Sequence, residues 1–451
     1  MESITIGFLG LGALVFLIAI RMPIAYAMII VGTVGIAILN GPAIVLSQLK
    51  DLAYGQFSVY DLSVVPLFIL MGAIASRSGL SADLFRAANA WLGWMRGGVA
   101  MSAIAACAGF GAVCGSSLAT ASTMGRVALP ELKRYRYSGT LATGTIAAGG
   151  VLGILIPPSV VLIIYAIVVE ANVVTMFMAA LIPGLIAVLF FVITIFVYVL
   201  IFPDAGPRGS GATAQEFISA TLNVLPVGLV FGVVIGGIYF GFFNPTPAAA
   251  VGVVMVALFG FLKKKLSLPS IREGLLETAS TTGMIFLILL GAELLKIFMS
   301  RGGVPQAMAE WMATSGLEPM TILLLLLLAL ILLGCLMDSL SMILLAIPFF
   351  WPVLVQLNGG DFATADTSPF GMDTEDLKIW FGILALIVVE LGLITPPVGM
   401  NVFIISAQAP DVPMRQTFLG VLPFFGAELI RVGILVAFPI LTLWLPRALS
   451  G

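Results

Sequence analysis

The sequence contains no histidine and very little charge. Asp, Glu, Lys and Arg together make up 9% of the 451 residues, and the formal net charge is −2. Without imidazole, the chain lacks the side chain most often used near neutral pH for metal ligation, acid–base catalysis and proton relay. It also lacks the basic surplus that nucleic-acid binding requires, so no nucleic-acid partner is expected. Composition therefore disfavours most enzyme classes.

Cysteine is scarce as well. Cys107, Cys114 and Cys335 each lie within an apolar stretch, and their spacing matches neither a disulfide framework nor a zinc site. We interpret them as small packing residues. The apolar run at residues 1–21 lacks a basic start and a small-residue cleavage signal, so it predicts a first spanning helix rather than a signal peptide.

What the sequence has in excess is hydrophobic side chains. They make up 61% of the chain, against roughly 45–50% in an ordinary soluble domain. A soluble core stops growing at about 250–300 residues, whereas a bilayer can bury any number of packed helices. The composition therefore predicts an all-α integral membrane protein.

Apolar windows of about 20 residues, the length needed to cross a bilayer, recur along the chain. Two further apolar stretches, 97–128 and 318–351, are interrupted near their middles by Gly, Ser, Asp or Pro, which is typical of re-entrant helical hairpins. Ten crossings are predicted, at 4–21, 22–41, 61–80, 140–169, 173–201, 217–241, 246–262, 279–299, 379–407 and 416–445.

The distribution of Lys and Arg predicts the orientation, because these residues are retained on the cytoplasmic side of membrane helices. Basic residues flank the first hairpin, between 77 and 96 and again between 126 and 136, and others lie between 263 and 272. The segment 359–376 is acidic. The first hairpin is therefore predicted to open from the cytoplasm, with the acidic loop and both termini outside.

The sequence also repeats internally. Gly-Ile-Leu-Ile-Pro-Pro at 153–158 recurs as Gly-Leu-Ile-Thr-Pro-Pro at 392–397, and each follows an interrupted hairpin. Upstream, Pro-Leu-Phe-Ile-Leu-Met-Gly at 66–72 is echoed by Ile-Phe-Leu-Ile-Leu-Leu-Gly at 285–291. The chain is thus predicted to consist of two repeats with the same order of elements.

The predicted orientation makes these repeats inverted copies, because the first hairpin opens inward and the second outward. Many secondary transporters are built in this way, with discontinuous helices meeting near the bilayer midplane. The first repeat is residues 1–215, with hairpin 97–128 and broken helix 140–169; the second is residues 216–451, with hairpin 318–351 and broken helix 379–407.

The Pro-Pro pairs predict where backbone oxygens are exposed inside the membrane. Pro157, Pro158, Pro396 and Pro397 lack amide donors, so carbonyls one turn upstream lose their helical partners. An unsatisfied carbonyl in hydrocarbon costs several kcal/mol, and a hard cation such as sodium prefers oxygen ligands. A proline kink repaired by a hydroxyl or water is the alternative. The duplication beside two broken hairpins favours an ion site.

Other residues admit two interpretations each. The small and hydroxyl residues at 111–123 provide oxygen ligands or simply allow close helix packing. Asp338 is an intramembrane acid, a functional candidate that also suits a helix cap. Glu390 either lines a transport path or accepts a hydrogen bond from a backbone amide of the broken helix. Glu293 and Lys296, three residues apart, are predicted to pair with each other.

Four motifs together resemble one known family. The sequence reads Gly-Ser-Ser-Leu-Ala-Thr at 115–120, Gly-Ile-Leu-Ile-Pro-Pro-Ser at 153–159, Gly-Cys-Leu-Met-Asp-Ser at 334–339 and Gly-Leu-Ile-Thr-Pro-Pro-Val-Gly at 392–399. In this order they resemble the large membrane subunit of TRAP transporters, often called DctM, over essentially the whole chain.

The resemblance implies a multi-pass protein of the bacterial inner membrane that imports a small organic anion such as a carboxylate, sugar acid or sulfonate. It implies an elevator-type transporter of the ion-transporter superfamily, in which a mobile domain carries both hairpins past a static scaffold. It also implies coupling to two sodium ions and two partners. These are a small four-helix membrane subunit, expected as a separate chain, and a periplasmic substrate-binding protein.

The resemblance further assigns candidate site residues. The first sodium site is expected at Cys114, Ser116, Gly153, Ile156 and Pro158. The second sodium site is expected at Gly334, Gly392, Thr395 and Val398. Relatives often carry Ser at the position of Cys114, where a backbone carbonyl can still serve as ligand. Ser159 and Asp338 are the candidates for contact with substrate. The acidic loop 359–376 either touches the binding protein or is a solvated connection.

Two alternatives remain at this stage. A proton-coupled or single-component carboxylate carrier would use Asp338 and Glu390 as titrating groups. A membrane enzyme or scaffold acting on lipid would be expected to carry a histidine or metal cluster, and the chain has no histidine. The sequence selects no particular anion and identifies no arginine that would bind one.

Overall fold

The computed structural model describes residues 3–209, 211–314 and 316–449, and every regular element in these ranges is helical. The described first half contains ten α-helices: α1 Ser3–Ala19, α2 Ile24–Asn40, α3 Pro42–Phe57, α4 Val64–Arg77, α5 Leu80–Leu92, α6 Gly98–Cys114, α7 Ser117–Arg134, α8 Gly139–Leu155, α9 Val160–Val169 and α10 Val173–Ile201. A 3₁₀ turn at Tyr60–Ser63 leads into α4.

The second half repeats the pattern of long helices, a hairpin and a broken helix. Its elements are α11 Ala214–Phe231, α12 Gly237–Tyr239, α13 Pro245–Leu262, α14 Leu268–Arg301, α15 Val304–Thr314, α16 Pro319–Gly334, α17 Ser339–Asn358, α18 Thr374–Gly392, α19 Met400–Gln408, α20 Met414–Ala437 and α21 Ile440–Leu449. A π-helical turn at Gly232–Gly236 joins α11 to α12. The inverted relation between the two halves stays a prediction.

Seven helices of the described chain are long and apolar enough to cross a membrane, and the bent pair α8–α9 makes an eighth span. The seven are Tyr60–Arg77, Val173–Ile201, Ala214–Tyr239, Pro245–Leu262, Leu268–Arg301, Ser339–Asn358 and Met414–Ala437. The predicted crossings at 4–21 and 22–41 correspond to α1 and α2, which are apolar but only 17 residues long. The membrane class is confirmed, whereas the count of ten stays a prediction.

Both interrupted stretches form pairs of packed helices. α6 and α7 are separated only by Gly115 and Ser116, and Gly115 has a φ of +65°, a left-handed conformation that glycine adopts without steric cost. α16 and α17 are separated by residues 335–338. The predicted hairpins are therefore present as helix–turn–helix units, and their second helices run on to Arg134 and Asn358.

Both predicted helix breaks are also present. α8 ends at Leu155 and the chain resumes as α9 at Val160, with a bend of 46° between the two axes. α18 ends at Gly392 and α19 begins at Met400. The peptide bonds Pro157–Pro158 and Pro396–Pro397 are both cis.

The helices pack into two groups. In one group α14 packs on α2 and α4, and α13 packs on α4. In the other, α6 and α7 pack on α8, α16 packs on α18, and α17 packs on α9. Helices α19 and α20 join the second group through α8, so this group unites the hairpins and broken helices of both halves.

The surface of α10 illustrates how this fold meets lipid. One side of the helix is exposed and strongly apolar, with Leu185, Leu189, Ile193 and Phe196. The opposite side is buried against the protein, with Ala187, Phe191, Ile195 and Val199. Exposure of large apolar side chains at helical spacing is favourable in hydrocarbon but costly in water, so this face belongs in a membrane.

Charge inside this apolar body is neutralised locally. Arg431 on α20 is completely buried, forms an ion pair with Glu428 one turn earlier, and donates from Nη1 to the Pro183 carbonyl at 2.9 Å. A buried charge is tolerated only when it is paired and hydrogen-bonded. The pair therefore ties α20 to the proline-containing part of α10.

Candidate functional site

The tip of the first hairpin lies directly on the first helix break. A Cβ atom added at Gly111 would lie 2.6 Å from the Gly153 Cα. One added at Gly153 would lie 2.7 Å from the Ser116 carbonyl oxygen, and one added at Gly115 would lie 2.8 Å from the Pro158 carbonyl oxygen. Distances this short exclude side chains, so the glycines bring two backbones into contact. Three of the predicted first-site residues, Ser116, Gly153 and Pro158, are thereby brought together, whereas the Cys114 carbonyl oxygen lies 2.6 Å from a Cβ atom added at Gly72 on α4.

Main-chain oxygens at this break lack hydrogen-bond donors. In a continuous helix the carbonyls of Gly153 and Ile154 would accept from residues 157 and 158, and both of those are proline. Within the described chain, no donor reaches the carbonyl oxygens of Gly153, Ile156 or Pro158. Residues 151–160 are all buried. The break therefore concentrates unsatisfied oxygens where water is excluded.

A threonine that the sequence analysis missed completes this cluster. Thr120 on α7 is fully buried, and its Oγ1 has no hydrogen-bond partner. A Cβ atom added at Gly153 would lie 2.4 Å from this hydroxyl oxygen. An unpartnered buried hydroxyl beside donor-free carbonyls fits an oxygen-liganded cation. Thr120 belongs to the segment 111–123, whose hydroxyls were predicted as possible oxygen ligands. The sequence does not show which of these hydroxyls faces the break.

The second hairpin also lies on its helix break. A Cβ atom added at Gly392 would lie 2.4 Å from the Gly334 carbonyl carbon, so these two predicted second-site residues are in backbone contact. Here, however, the carbonyls freed by the prolines find donors. The Thr395 amide donates to the Gly392 oxygen and the Asn401 amide to the Leu393 oxygen, each at 3.1 Å.

The two breaks therefore differ, although their sequences are alike. Thr395 Oγ1 donates to the Leu391 carbonyl at 2.6 Å, so this hydroxyl also satisfies the end of α18. Pro396 and Pro397 are exposed, whereas Pro157 and Pro158 are buried. The carbonyl oxygens of Thr395 and Val398 receive no donor within the described chain. The second cluster offers fewer free oxygens and is more open than the first.

Three predicted site residues cap helices. Ser116 accepts from the Ala119 amide, Ser159 accepts from the Leu162 amide, and Asp338 accepts from the Ser341 amide at 3.1 Å. Each cap satisfies an amide that the helix start leaves unpaired. The capping interpretation of Asp338 is confirmed, and its role toward substrate stays a prediction.

A cavity of about 520 Å³ lies between the hairpin tips and helices α4 and α14. Cys114, Ser116 and Asp338 line it, together with other polar residues. Ser159 is not among the lining residues and is completely buried behind them. The polar and charged part of the lining consists of Ser76, Arg77, Ser116, Ser117, Ser122, Thr123, Arg126, Glu277, Thr281, Asp338 and Ser339.

Two arginines line this cavity, and neither was predicted as a site residue. Arg77 is neutralised, because its Nη2 lies 2.7 Å from Glu277 Oε2 and its Nη1 donates to the Ala73 carbonyl. Arg126 is exposed and donates only to Thr123 Oγ1, at 3.4 Å, and no carboxylate of the described chain lies within 4 Å of it. Arg126 therefore presents an uncompensated positive charge to the cavity.

Glu390 does not line the cavity, and its carboxylate accepts no hydrogen bond from a backbone amide of the described chain. Its carboxylate accepts from the hydroxyls of Ser117 and Ser339, and the side chain is completely buried. The expectation of a hydrogen bond from the broken helix was therefore wrong, because two serines at the hairpin tips supply the donors. Glu293 and Lys296 pair at 3.7 Å, as predicted.

Comparison with known proteins identifies the family. Residues 11–441 match the family described as "Tripartite ATP-independent periplasmic transporter, DctM component". The chain belongs to this family. It is 33% identical to the C4-dicarboxylate TRAP transporter large permease protein DctM of Pseudomonas aeruginosa, over 87% of each chain. It is 30% identical to the sialic acid TRAP transporter large permease protein SiaM of Vibrio cholerae, over 95% of this chain and 96% of the relative.

Solved structures support the fold alone. The YdaH transporter of Alcanivorax borkumensis superposes with a TM-score of 0.60 over 88% of this chain, at 14% sequence identity. As a DctM-family large permease, the chain is a multi-pass protein of the bacterial inner membrane. The recognition made from the four sequence motifs is thereby confirmed.

Proposed function

We propose that this DctM-family subunit couples the import of a small organic anion to the inward movement of two sodium ions. The anion is delivered by a periplasmic binding protein, and a small four-helix membrane subunit accompanies this chain in the membrane. The observation that carries the proposal is the buried cluster of donor-free oxygens at the first helix break, formed by the carbonyls of Gly153, Ile156 and Pro158 beside Thr120.

The chemistry of the cluster favours sodium. Carbonyl and hydroxyl oxygens are hard, neutral ligands, which suit a hard monovalent cation better than a transition metal. Orphaned oxygens in a dry interior cost free energy that a bound cation removes. The second break has donors on Gly392 and Leu393, but the oxygens of Thr395 and Val398 remain available. We therefore propose a stronger first site and a more exposed second site.

An anionic substrate is supported by the cavity. Arg126 lacks a carboxylate partner in the described chain and lines the same cavity as both hairpin tips. The starts of α7 and α17 also lie at the hairpin tips, and the positive end of each helix dipole favours negative charge there. A carboxylate, sugar acid or sulfonate suits this combination.

The proposed cycle follows from the position of the cavity. It runs from the hairpin tips toward Arg77 at the end of α4, which is the cytoplasmic side in the predicted orientation. This conformation is then the inward-open one. Sodium binding orders both hairpin tips against the helix breaks and completes the anion site. The group of hairpins and broken helices next moves past α2, α4, α13 and α14, as in an elevator.

Reconstitution in liposomes tests the coupling. The complex of both membrane subunits is supplied with binding protein loaded with an anion identified by thermal-shift screening against organic acids. Uptake is measured in sodium and in choline at equal osmolarity. We expect uptake to collapse in choline, whereas undiminished uptake would refute sodium coupling.

A further inference from the structure

The buried carboxylate of Glu390 joins the tips of the two hairpins. One of its oxygens accepts from Ser117, the first residue of α7, and the other accepts from Ser339, the first residue of α17. These serines occupy equivalent positions, because each directly follows the residue that caps the second helix of its hairpin. A single side chain on α18 therefore contacts both halves of the proposed transport site.

Each of these contacts adjoins a proposed sodium site. Ser117 follows Ser116, which belongs to the first site, and Glu390 lies two residues before Gly392 of the second site. Gly392 is in turn in contact with Gly334 at the start of the second hairpin turn. Glu390 thus lies between the two clusters of ligands while facing neither the cavity nor the lipid.

The surroundings of Glu390 do not supply a counter-charge. It is 0% exposed, and no Lys or Arg within the described chain lies within 4 Å of its carboxylate. Two hydroxyl donors alone compensate poorly for a carboxylate in an apolar interior, where buried charges are normally paired with a cation. Bound cations on either side would provide the missing positive charge.

We propose that Glu390 is the shared counter-ion and positioning residue of the two sodium sites, and that it makes their occupancies interdependent; this rests on the sodium coupling proposed above. A cation at the first site fixes the tip of the first hairpin and holds Ser117 against one carboxylate oxygen. The carboxylate is then oriented to hold Ser339, the tip of the second hairpin. Binding at one site thereby prepares the other without a direct contact between the ions.

Binding of radioactive sodium to the purified complex of both membrane subunits tests this inference, because it needs no organic substrate. Glu390→Gln keeps the size of the side chain and removes its charge. We expect the half-saturating sodium concentration to rise at least about tenfold, since both ions lose a nearby negative charge. We expect a Hill coefficient above 1 for the native protein and a value near 1 for Glu390→Gln.

The serines provide smaller perturbations that preserve the charge. Ser117→Ala and Ser339→Ala should each raise the half-saturating sodium concentration by about two- to fivefold, the usual range for one lost hydrogen bond. In a double variant with Glu390→Gln, neither serine substitution should raise the half-saturating sodium concentration further. Both serines act through their hydrogen bonds to the Glu390 carboxylate, which is already lost. Glu293→Gln, which removes an acid paired with Lys296 outside the site, serves as the matched control and should bind sodium normally.

The outcomes separate the two proposals. If the native complex binds no sodium, the proposed coupling itself is wrong. If the native complex binds sodium but Glu390→Gln keeps its half-saturation and Hill coefficient, only the role of Glu390 is overturned. A purely structural role would lower thermal stability without changing the sodium curve. Should Glu390→Gln fail to fold, native-like sodium curves in both serine variants would equally overturn the inference.

Discussion

At the scale of single residues, Thr120 carries the most specific evidence for an ion. Its hydroxyl is buried without a partner and lies 2.4 Å from a Cβ atom added at Gly153, whose carbonyl receives no donor within the described chain. Thr120→Val preserves shape and removes the oxygen. We predict a loss of about 1 kcal/mol of sodium binding, or roughly a fivefold rise in half-saturating sodium. The measurement is the sodium titration of binding or uptake.

Thr145 offers a matched control for this prediction. Its hydroxyl on α8 is also buried without a partner, but Thr145 belongs to no proposed site. Thr145→Val should leave the sodium titration unchanged. Equal effects of the two substitutions would contradict a ligand role for Thr120.

Arg126 is predicted to contribute to the affinity for the anionic substrate. A charge-assisted hydrogen bond to an anion contributes about 2 kcal/mol, so Arg126→Gln should raise the half-saturating substrate concentration roughly thirtyfold. Its half-saturating sodium concentration at high substrate should stay near the native value, because Arg126 lies away from both helix breaks. Substrate titration of uptake in liposomes measures the effect.

The control for Arg126 is Arg86→Gln. Arg86 is 72% exposed in its side chain and lies outside the cavity, with only a weak pairing to Asp83 at 3.9 Å. Native-like uptake is expected from this variant. Unaltered substrate affinity in Arg126→Gln would show that this arginine does not bind the anion.

Some of these residue contacts could be predicted from the sequence and others could not. Proline has no amide, so the orphaned carbonyls of Gly153 and Ile154 follow from the sequence directly. The partners of Glu390 do not, because Ser117 and Ser339 are far from it in the chain. Arg126 was assigned only to a cytoplasmic flank, since a sequence gives no view of which charges remain unpaired inside a cavity.

At the scale of elements, the hairpins depend on glycine contacts with the broken helices. A methyl group at Gly392 would overlap the backbone of Gly334, which cannot yield as a flexible side chain could. Gly392→Ala should therefore weaken the packing of the second hairpin against α18 and lower the free energy of unfolding by about 1–3 kcal/mol, the usual cost of overpacking. A lowered melting temperature, with loss of sodium-dependent stabilisation, is the expected result.

Gly426→Ala is the matched substitution within a helix. Nothing lies within 4 Å of a Cβ atom added at Gly426 on α20, so alanine should be neutral or slightly stabilising there. If both variants melt alike and respond alike to sodium, the contact between Gly334 and Gly392 has no role in the ion site.

The elements were predictable to different degrees. Both hairpins and both breaks were foreseen from Gly, Ser and Pro in apolar stretches, since these residues interrupt helices for stereochemical reasons. The difference between the breaks was not foreseen. It arises because the Asn401 amide folds back to the Leu393 carbonyl, a tertiary arrangement that the repeated Gly-to-Pro-Pro motif does not encode.

At the scale of the whole molecule, composition alone determined the membrane class. Helices α10, α11, α13 and α14 expose apolar faces, and the hairpins and broken helices of both halves pack as one group that contacts α4 and α14. The division into a mobile and a static part, expected of an elevator, stays a prediction. The packing of two halves into one group depends on contacts between distant segments, such as α19 with α7 and α8, which no local pattern predicts.

The most direct test of the account counts the ions that accompany each substrate molecule. Liposomes containing the complete complex are given radioactive sodium and substrate with distinguishable labels, and both uptakes are measured in the same vesicles. We predict about two sodium ions per organic anion. Combining Thr120→Val at the first break with Glu390→Gln between the two sites should strongly reduce the uptake of both labels at the same sodium concentration. Substrate uptake without sodium entry, driven instead by a pH gradient in sodium-free buffer, would contradict the account.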